Sequence, residues 1–560
     1  MLASPLAGTA LGLLCSPAFA ANRPGDGFEV ASYRLALTPD IENRTVAGRE
    51  KITLRATVDG VRRLNFSANT LGIDSATLDG VALAHTVEGD VLGFDLPRPL
   101  RRGRTVKLEL SYHGRPARGF AGSATTLYTS YFACDWMVCS QNKFGEKAAF
   151  SLDLRVPAGM TSLSVGNMIV RRPGADGSEI HTWKAPRPYS AYLYGFAVGR
   201  LTRVSERVGS KRLTYLSNTA DAGELKRRLA GTKDMVAFLS AKAGMPLPVA
   251  DYSQLLVEGD EAQEAATYSV LGSDALPRQP DDPSQDWAIV HELTHQWWGN
   301  LITCETLQDF WLNEGITTFM TAAWKQHRYG RAAYEAELNE ARSRFEKARA
   351  MGFDKPLAWN GTYPTLGVRR AIQYSKGALF MAQLRVTLGD AAFWSGLRRY
   401  TRDHAGGTVT SIDLKRAMEE ALEGALVSSL LGTATAFGAD AIGDLTVDGG
   451  LNPAGRHVLH ALMGCASGSV QAGSDGCAAG AAGGGHHAAA SPCRSPRPVR
   501  PSPRARRPAA GPHRGRSARA GRSDRSPRRR TAGRRGCCSR GRTTGPIRGR
   551  RCRCGRDRRG

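Results

Sequence analysis

From residue 27 to about 205, apolar and polar positions alternate. Tyr33, Leu35 and Leu37 show it, as do Ile52 and Leu54, then Val106, Leu108, Leu110 and Tyr112, then Phe150, Leu152, Leu154 and Val156. Gly, Pro, Asp and Asn separate these runs at short spacing, the pattern of a sandwich-like, antiparallel β domain. From about residue 221 the period lengthens. Segments 221–244, 284–299, 312–329, 332–350, 371–388, 390–404 and 411–423 carry helical spacing with few β-branched runs. The expected fold is α+β and multidomain: a β domain over 21–205, then a mainly helical domain over 206–423.

Beyond 423 the pattern fades. Residues 424–490 are rich in Gly, Ala and Ser, with a short helix expected around 455–464. Residues 491–560 have no Phe, Tyr or Trp and are expected to be disordered, because such a segment buries too little apolar surface to offset ordering.

Charge changes the picture only at this end. The chain carries +25, but 491–560 hold 25 Arg, no Lys and 2 Asp, which is +23 and leaves about +2 for residues 1–490. A nucleic-acid role is therefore not expected of the folded part, and the tail lacks the aromatics on which single strands stack. Arg, Gly, Pro and Ala share GC-rich codons and Lys does not, so the tail reads as an out-of-frame stretch. A basic arm and a featureless linker are the other two readings.

Residues 1–20 are apolar and end in Ala18-Phe19-Ala20, a small-x-small pattern of the kind cleaved on export, although no Lys or Arg precedes the apolar run. No other run reaches the roughly 18 apolar residues needed to span a bilayer. The expectation is an exported chain, periplasmic or extracellular, without an integral span. In an oxidising compartment Cys134 and Cys139 can bridge, with buried thiols or half of a metal site as the other readings. Cys304 is expected to be a packed free thiol.

The stretch His291-Glu-Leu-Thr-His-Gln-Trp-Trp-Gly-Asn300 carries chemistry. On a helix starting near Ser284, His291 and His295 share a face and can bind one Zn²⁺, with Glu292 beside them as general base for a water. Two surface histidines on a polar helix are the plain alternative. Trp311-Leu-Asn-Glu314-Gly decides between them, because it places Glu314 eighteen residues after His295 and completes a His₂Glu set that leaves one zinc position open.

These two motifs resemble those of the gluzincin aminopeptidases of the aminopeptidase N and leukotriene hydrolase type, over roughly residues 28–423. The resemblance implies a thermolysin-like zinc peptidase domain, one catalytic Zn²⁺ and peptide substrates cleaved from the N-terminus. Tyr189–Gly199 is similar to the family's strand at the end of the β domain. Ala371-Ile-Gln-Tyr374-Ser-Lys376-Gly377 resembles its Tyr-x-Lys-Gly motif, which would make Tyr374 a donor to the developing oxyanion rather than a core tyrosine. Glu264 stands where the family's amine-binding glutamate belongs, but the Gly, Met and Asn around it are missing, and Glu261 and Glu258 are rival carboxylates.

Two further departures stand out. The place of the family's Gln-x-Glu stretch reads Thr129-Ser130-Tyr131-Phe132, without a carboxylate, and the usual continuation after Asp413-Leu-Lys-Arg-Ala-Met-Glu419 is replaced by the Gly/Ala and Arg segments. The expected function is zinc-dependent aminopeptidase action. An endopeptidase or epoxide hydrolase on the same site, or an inactive product of a rearranged gene, are the alternatives.

Overall fold

The computed structural model describes residues 23–437, except 142, 277–281, 283 and 284, together with the short strands Thr446–Val447 and Gly450–Leu451. The leader expected at 1–20, the helix expected near 455–464 and the Arg-rich segment 491–560 lie outside the described residues.

The alternation in the first part produces a nine-stranded sheet. Phe28–Asp40 lies at its centre, antiparallel to Thr45–Ala56 and parallel to Lys147–Val156. That parallel pair departs from the all-antiparallel expectation. It joins segments too far apart in sequence for a hairpin. The inward positions Tyr33, Leu35, Leu37, Ile52, Leu54, Leu108, Leu110, Leu152 and Leu154 are all buried. A three-stranded sheet (Val61–Ser67, Val91–Leu100, His85–Glu88) and a four-stranded one (Thr161–Ser164, Phe196–Gly199, Thr126–Thr129, Phe120–Ser123) complete this domain.

Cys134 and Cys139 form a disulfide, and Cys304 is a buried free thiol. The disulfide loop is held from below by Glu50, whose buried Oε2 accepts the Val138 amide at 2.8 Å. From the side, Arg118 makes a two-pronged contact of 3.0 Å to Asp135.

A five-stranded sheet then opens the second part, in the order Thr202–Val208, Lys211–Ser217, Asp251–Val257, Tyr268–Gly272, Ala262–Gln263. The division expected at 205/206 falls inside Thr202–Val208, which pairs with Lys211–Ser217, so the second sheet begins a few residues earlier. Against it pack the helices. The expected 221–244 segment is two helices, Ala222–Arg228 and Thr232–Ala243. Trp311–Tyr329 and Arg331–Ala350 stand close to expectation. Gly377–Asp403 turns at Gly389, whose φ is 74°. Ser411–Phe437 runs on well past the expected end at 423.

Candidate metal centre and active-site cleft

The helix Trp287–Thr294 carries Ile289, Val290 and Leu293 into the core and ends at His295, which is its C-cap. His291 and His295 are one turn apart, and the Nε2 atoms of both lie 3.4 Å from Glu314 Oε2. Glu314 sits in the first turn of Trp311–Tyr329 and is 2% exposed, yet its Oε2 has no hydrogen-bond donor among the described residues. Two imidazoles and an unsatisfied buried carboxylate, with donor atoms within 4.8 Å of one another, suit a small divalent cation of the zinc type. The residues present therefore fit the metal that the motif implies.

The rest of the motif builds the surroundings. His295 Nδ1 lies 3.0 Å from the Trp298 carbonyl, which fixes the ring so that Nε2 faces Glu314. Gly299, at φ 125°, lies so close that a Cβ there would stand 2.7 Å from His295 Nδ1. Gln296 receives the Thr267 amide at 3.1 Å and donates to the Ala265 carbonyl at 3.2 Å. Asn300 donates to the Glu264 carbonyl at 3.1 Å. The polar residues after the second histidine thus tie the metal helix to the segment carrying Glu264. Lys147 of the β domain reaches the same turn, donating to the Leu301 carbonyl at 2.6 Å.

Glu264, Glu292 and His295 also place side-chain donor atoms within 4.8 Å of one another. Glu292 is 3% exposed and its Oε2 has no partner among the described residues. Of the rival carboxylates, Glu261 turns away to accept Ser130 Oγ at 2.8 Å. Glu258 is exposed and lies outside the cleft lining.

Tyr374 stands on a π-helical turn, Ala371–Lys376, with its ring parallel to that of His291 at 6.0 Å. Such turns recur at functional sites because they swing one side chain out of helical register. Lys376 of the same motif is a strut: it is buried and donates to Asp354 at 2.6 Å and the Lys355 carbonyl at 2.8 Å. All six expected site residues line one cleft of about 960 Å³.

Burial sets the electrostatics. It pushes the Glu292 and Glu264 carboxyls up, aided by the neighbouring carboxylates and opposed by His295. Burial also raises the Tyr374 hydroxyl and lowers His291. For Glu314, burial works against the charge, but His295 and His291 outweigh it and hold the carboxyl at about 2. For His295, burial disfavours the cation, yet Glu314 and the two other carboxylates carry it to about 10.

One cleft residue was not expected. Tyr131 comes from the β domain, at φ 57°, and its hydroxyl donates to the Ala262 carbonyl beside Glu264. The sequence marked this stretch only for the carboxylate it lacks. The Tyr189–Gly199 stretch, expected to be a strand, is two short strands around a 3-10 turn. The turn presents Tyr192 to Asn313 at 3.2 Å and to the Gly299 carbonyl at 3.3 Å.

A family model, that of the peptidase family M1 domain, matches residues 267–433. Residues 267–433 are a peptidase family M1 domain. That span holds both zinc motifs and Tyr374, while Glu264 precedes it. Aminopeptidase N of Canis lupus familiaris is 24% identical over 389 residues, covering 63% of this chain and 39% of that protein. Leukotriene A-4 hydrolase of Xenopus laevis is 23% identical over 419 residues, covering 70% and 68%. The chain thus spans about two fifths of the first relative's length and about two thirds of the second's.

Among solved structures, the M1 zinc metallopeptidase of Deinococcus radiodurans superimposes with a TM-score of 0.59 at 23% identity, over 71% of this chain and 91% of that one. A point mutant of it bound to a Tyr-Ser-Ala substrate gives the same score over 93% of its length. Those likenesses show that the M1 domain and the β domain before it share that two-domain fold.

Proposed function

We propose that this chain is a zinc-dependent aminopeptidase. The observation that carries the reading is the pair of buried atoms without a hydrogen bond among the described residues, Glu314 Oε2 and Glu292 Oε2, in residues that line one cleft with Glu264 and Tyr374. His291, His295 and Glu314 would hold the zinc, which when bound supplies Lewis acidity and makes a water acidic enough to attack a carbonyl near neutral pH.

The chain's own residues do the remainder. Glu292 takes the proton of the attacking water at Oε2 and passes it to the leaving amine. The Tyr374 hydroxyl donates to the carbonyl oxygen as negative charge develops there. Glu264 binds the α-ammonium of the substrate and so sets the cut one residue from the N-terminus. That buried carboxylate favours the exopeptidase reading over an endopeptidase, which has no substrate α-ammonium to bind at the cut. Short and flexible peptides are the expected substrates.

Export is proposed as well. It is supported by the Cys134–Cys139 disulfide, a cross-link that persists in oxidising compartments, and by the Ala18-Phe19-Ala20 pattern. No described helix is long and apolar enough to cross a membrane. N-terminal sequencing of the mature protein from a cell fraction checks it, and a start at Met1 in the cytoplasm would sink it.

Hydrolysis of aminoacyl-p-nitroanilides by the zinc-loaded chain tests the function, with Glu292→Gln as control. Glu264→Ala should cost at least about a hundredfold in kcat/KM on these substrates and spare cleavage of N-blocked peptides. Equal losses on both would refute the amine-binding role.

A further inference from the structure

We propose that the cleft selects peptides whose first residue carries a cationic side chain, lysine or arginine. This rests on the aminopeptidase reading and names its substrate class. The two walls of the cleft differ in charge. Among the described lining residues, the wall built from the sheet edge contributes Asp260, Glu264 and Asp274 and no cation, whereas the helical wall sets Lys325, Arg344, Lys347 and Arg370 against Glu292, Glu314, Glu337 and Glu340 and so carries no net charge.

The sheet-edge wall is built from a bend, a two-residue strand and a 3-10 turn. Asp260, Ala262 and Glu264 all line the cleft, the first from the bend that precedes the short strand Ala262–Gln263 and the last from just after it. Glu261 points the other way, to Ser130, and Gln263 is buried. Asp274 is brought beside Asp260 by its backbone: its amide donates to the Gly259 carbonyl at 2.9 Å. That approach requires glycine at 272, since a Cβ there would lie 2.2 Å from the Gly259 oxygen.

Both aspartates are exposed, and neither pairs with a lysine or arginine among the described residues, whereas Asp251 and Glu224 of the same domain do. From residue 260 to 264 the chain spans at most roughly 13 Å. With its α-ammonium at Glu264, a lysine or arginine can send its second cation toward Asp260 and Asp274, its aliphatic stem lying along the Tyr131 ring. Leucine leaves both carboxylates without a partner, and an acidic side chain is repelled.

The test compares L-lysine and L-norleucine p-nitroanilides on the zinc-loaded full chain and on the Asp260→Asn/Asp274→Asn variant. In parallel, calorimetry measures binding of L-lysinamide and L-norleucinamide to the Glu292→Gln chain, with and without the two aspartate substitutions. The expected result is a lysyl-over-norleucyl ratio in kcat/KM of about tenfold, cut at least about fivefold in the double variant and eroded by salt. A ratio at or below one, or one the variant does not move, overturns the proposal. If neither anilide is cleaved, the aminopeptidase reading fails and the amides decide. Tighter lysinamide binding that the aspartate substitutions abolish upholds the cationic subsite, and equal binding overturns it.

Discussion

Gly315 and Gly377 meet backbone to backbone: a Cβ on either would stand 2.8 Å from the Cα of the other. Gly315 follows Glu314, the proposed metal ligand, on one helix, and Gly377 follows the turn that bears Tyr374 on another. Their contact sets the separation of the metal centre from the hydroxyl that faces it. Gly315→Ala has no flexible side chain to push aside, since the Gln373 carbonyl also lies 3.2 Å from the added atom. We expect a stability loss of about 2–3 kcal/mol from overpacking, read in chemical denaturation. A further fall of about tenfold or more in kcat should appear in the fraction that folds. A variant with native kinetics would show that the two helices tolerate being parted.

Metal removal gives a second prediction. The His291, His295 and Glu314 atoms converge without a hydrogen bond to satisfy Glu314 Oε2, so the chain should bind one zinc and be stabilised by it. At free zinc a thousandfold above Kd the gain is about 4 kcal/mol, visible as a rise in Tm that a chelator reverses. His295→Ala should abolish both the rise and the bound metal. Affinity should increase with pH, because the proton that Glu314 helps His295 retain must leave before the metal binds. A Tm indifferent to zinc would refute the site.

Much of this centre was legible in sequence because its residues lie on helices. A turn of helix converts the spacing of His291 and His295 directly into a shared face. The intact continuation through Glu314-Gly315 and Tyr374-x-Lys376-Gly377 carried the rest. The five-stranded sheet was not legible. Its central strands Asp251–Val257 and Tyr268–Gly272 are covered on both faces and lack alternation. The pairing of Phe28–Asp40 with Lys147–Val156 was hidden too, because register across so long a separation leaves no local trace. Tyr131 escaped for a similar reason: its position in the cleft comes from a bond to Ala262, 131 residues away.

Glu50 gives a pH prediction remote from the cleft. It is buried beneath the disulfide loop, and burial lifts its carboxyl from 4.5 to about 8. Between those values the folded chain keeps a proton that the unfolded chain has released, so stability falls as pH rises through the window and levels off above it. The full difference is on the order of 5 kcal/mol. Glu50→Gln holds no such proton, so the wild type should lose ground to it from mildly acid to alkaline pH. Denaturation of both proteins across that range isolates Glu50 from other buried groups, and parallel curves would refute the assignment.

Tyr131 separates two contributions of a side chain that the β domain lends to the cleft. Its backbone is left-handed at φ 57°, which costs a non-glycine residue about 1–2 kcal/mol. Its hydroxyl anchors the Ala262 carbonyl, while the ring, 41% exposed, faces the cleft. Tyr131→Phe keeps the ring and the strain but loses the hydrogen bond, so it should lower stability by about 1 kcal/mol and raise KM only slightly. Tyr131→Asn tolerates the left-handed backbone and removes the ring. It should be at least as stable as the phenylalanine variant yet raise KM by about tenfold. If Tyr131→Asn has the wild-type KM, the ring does not touch the substrate and the residue serves only to brace the strand before Glu264.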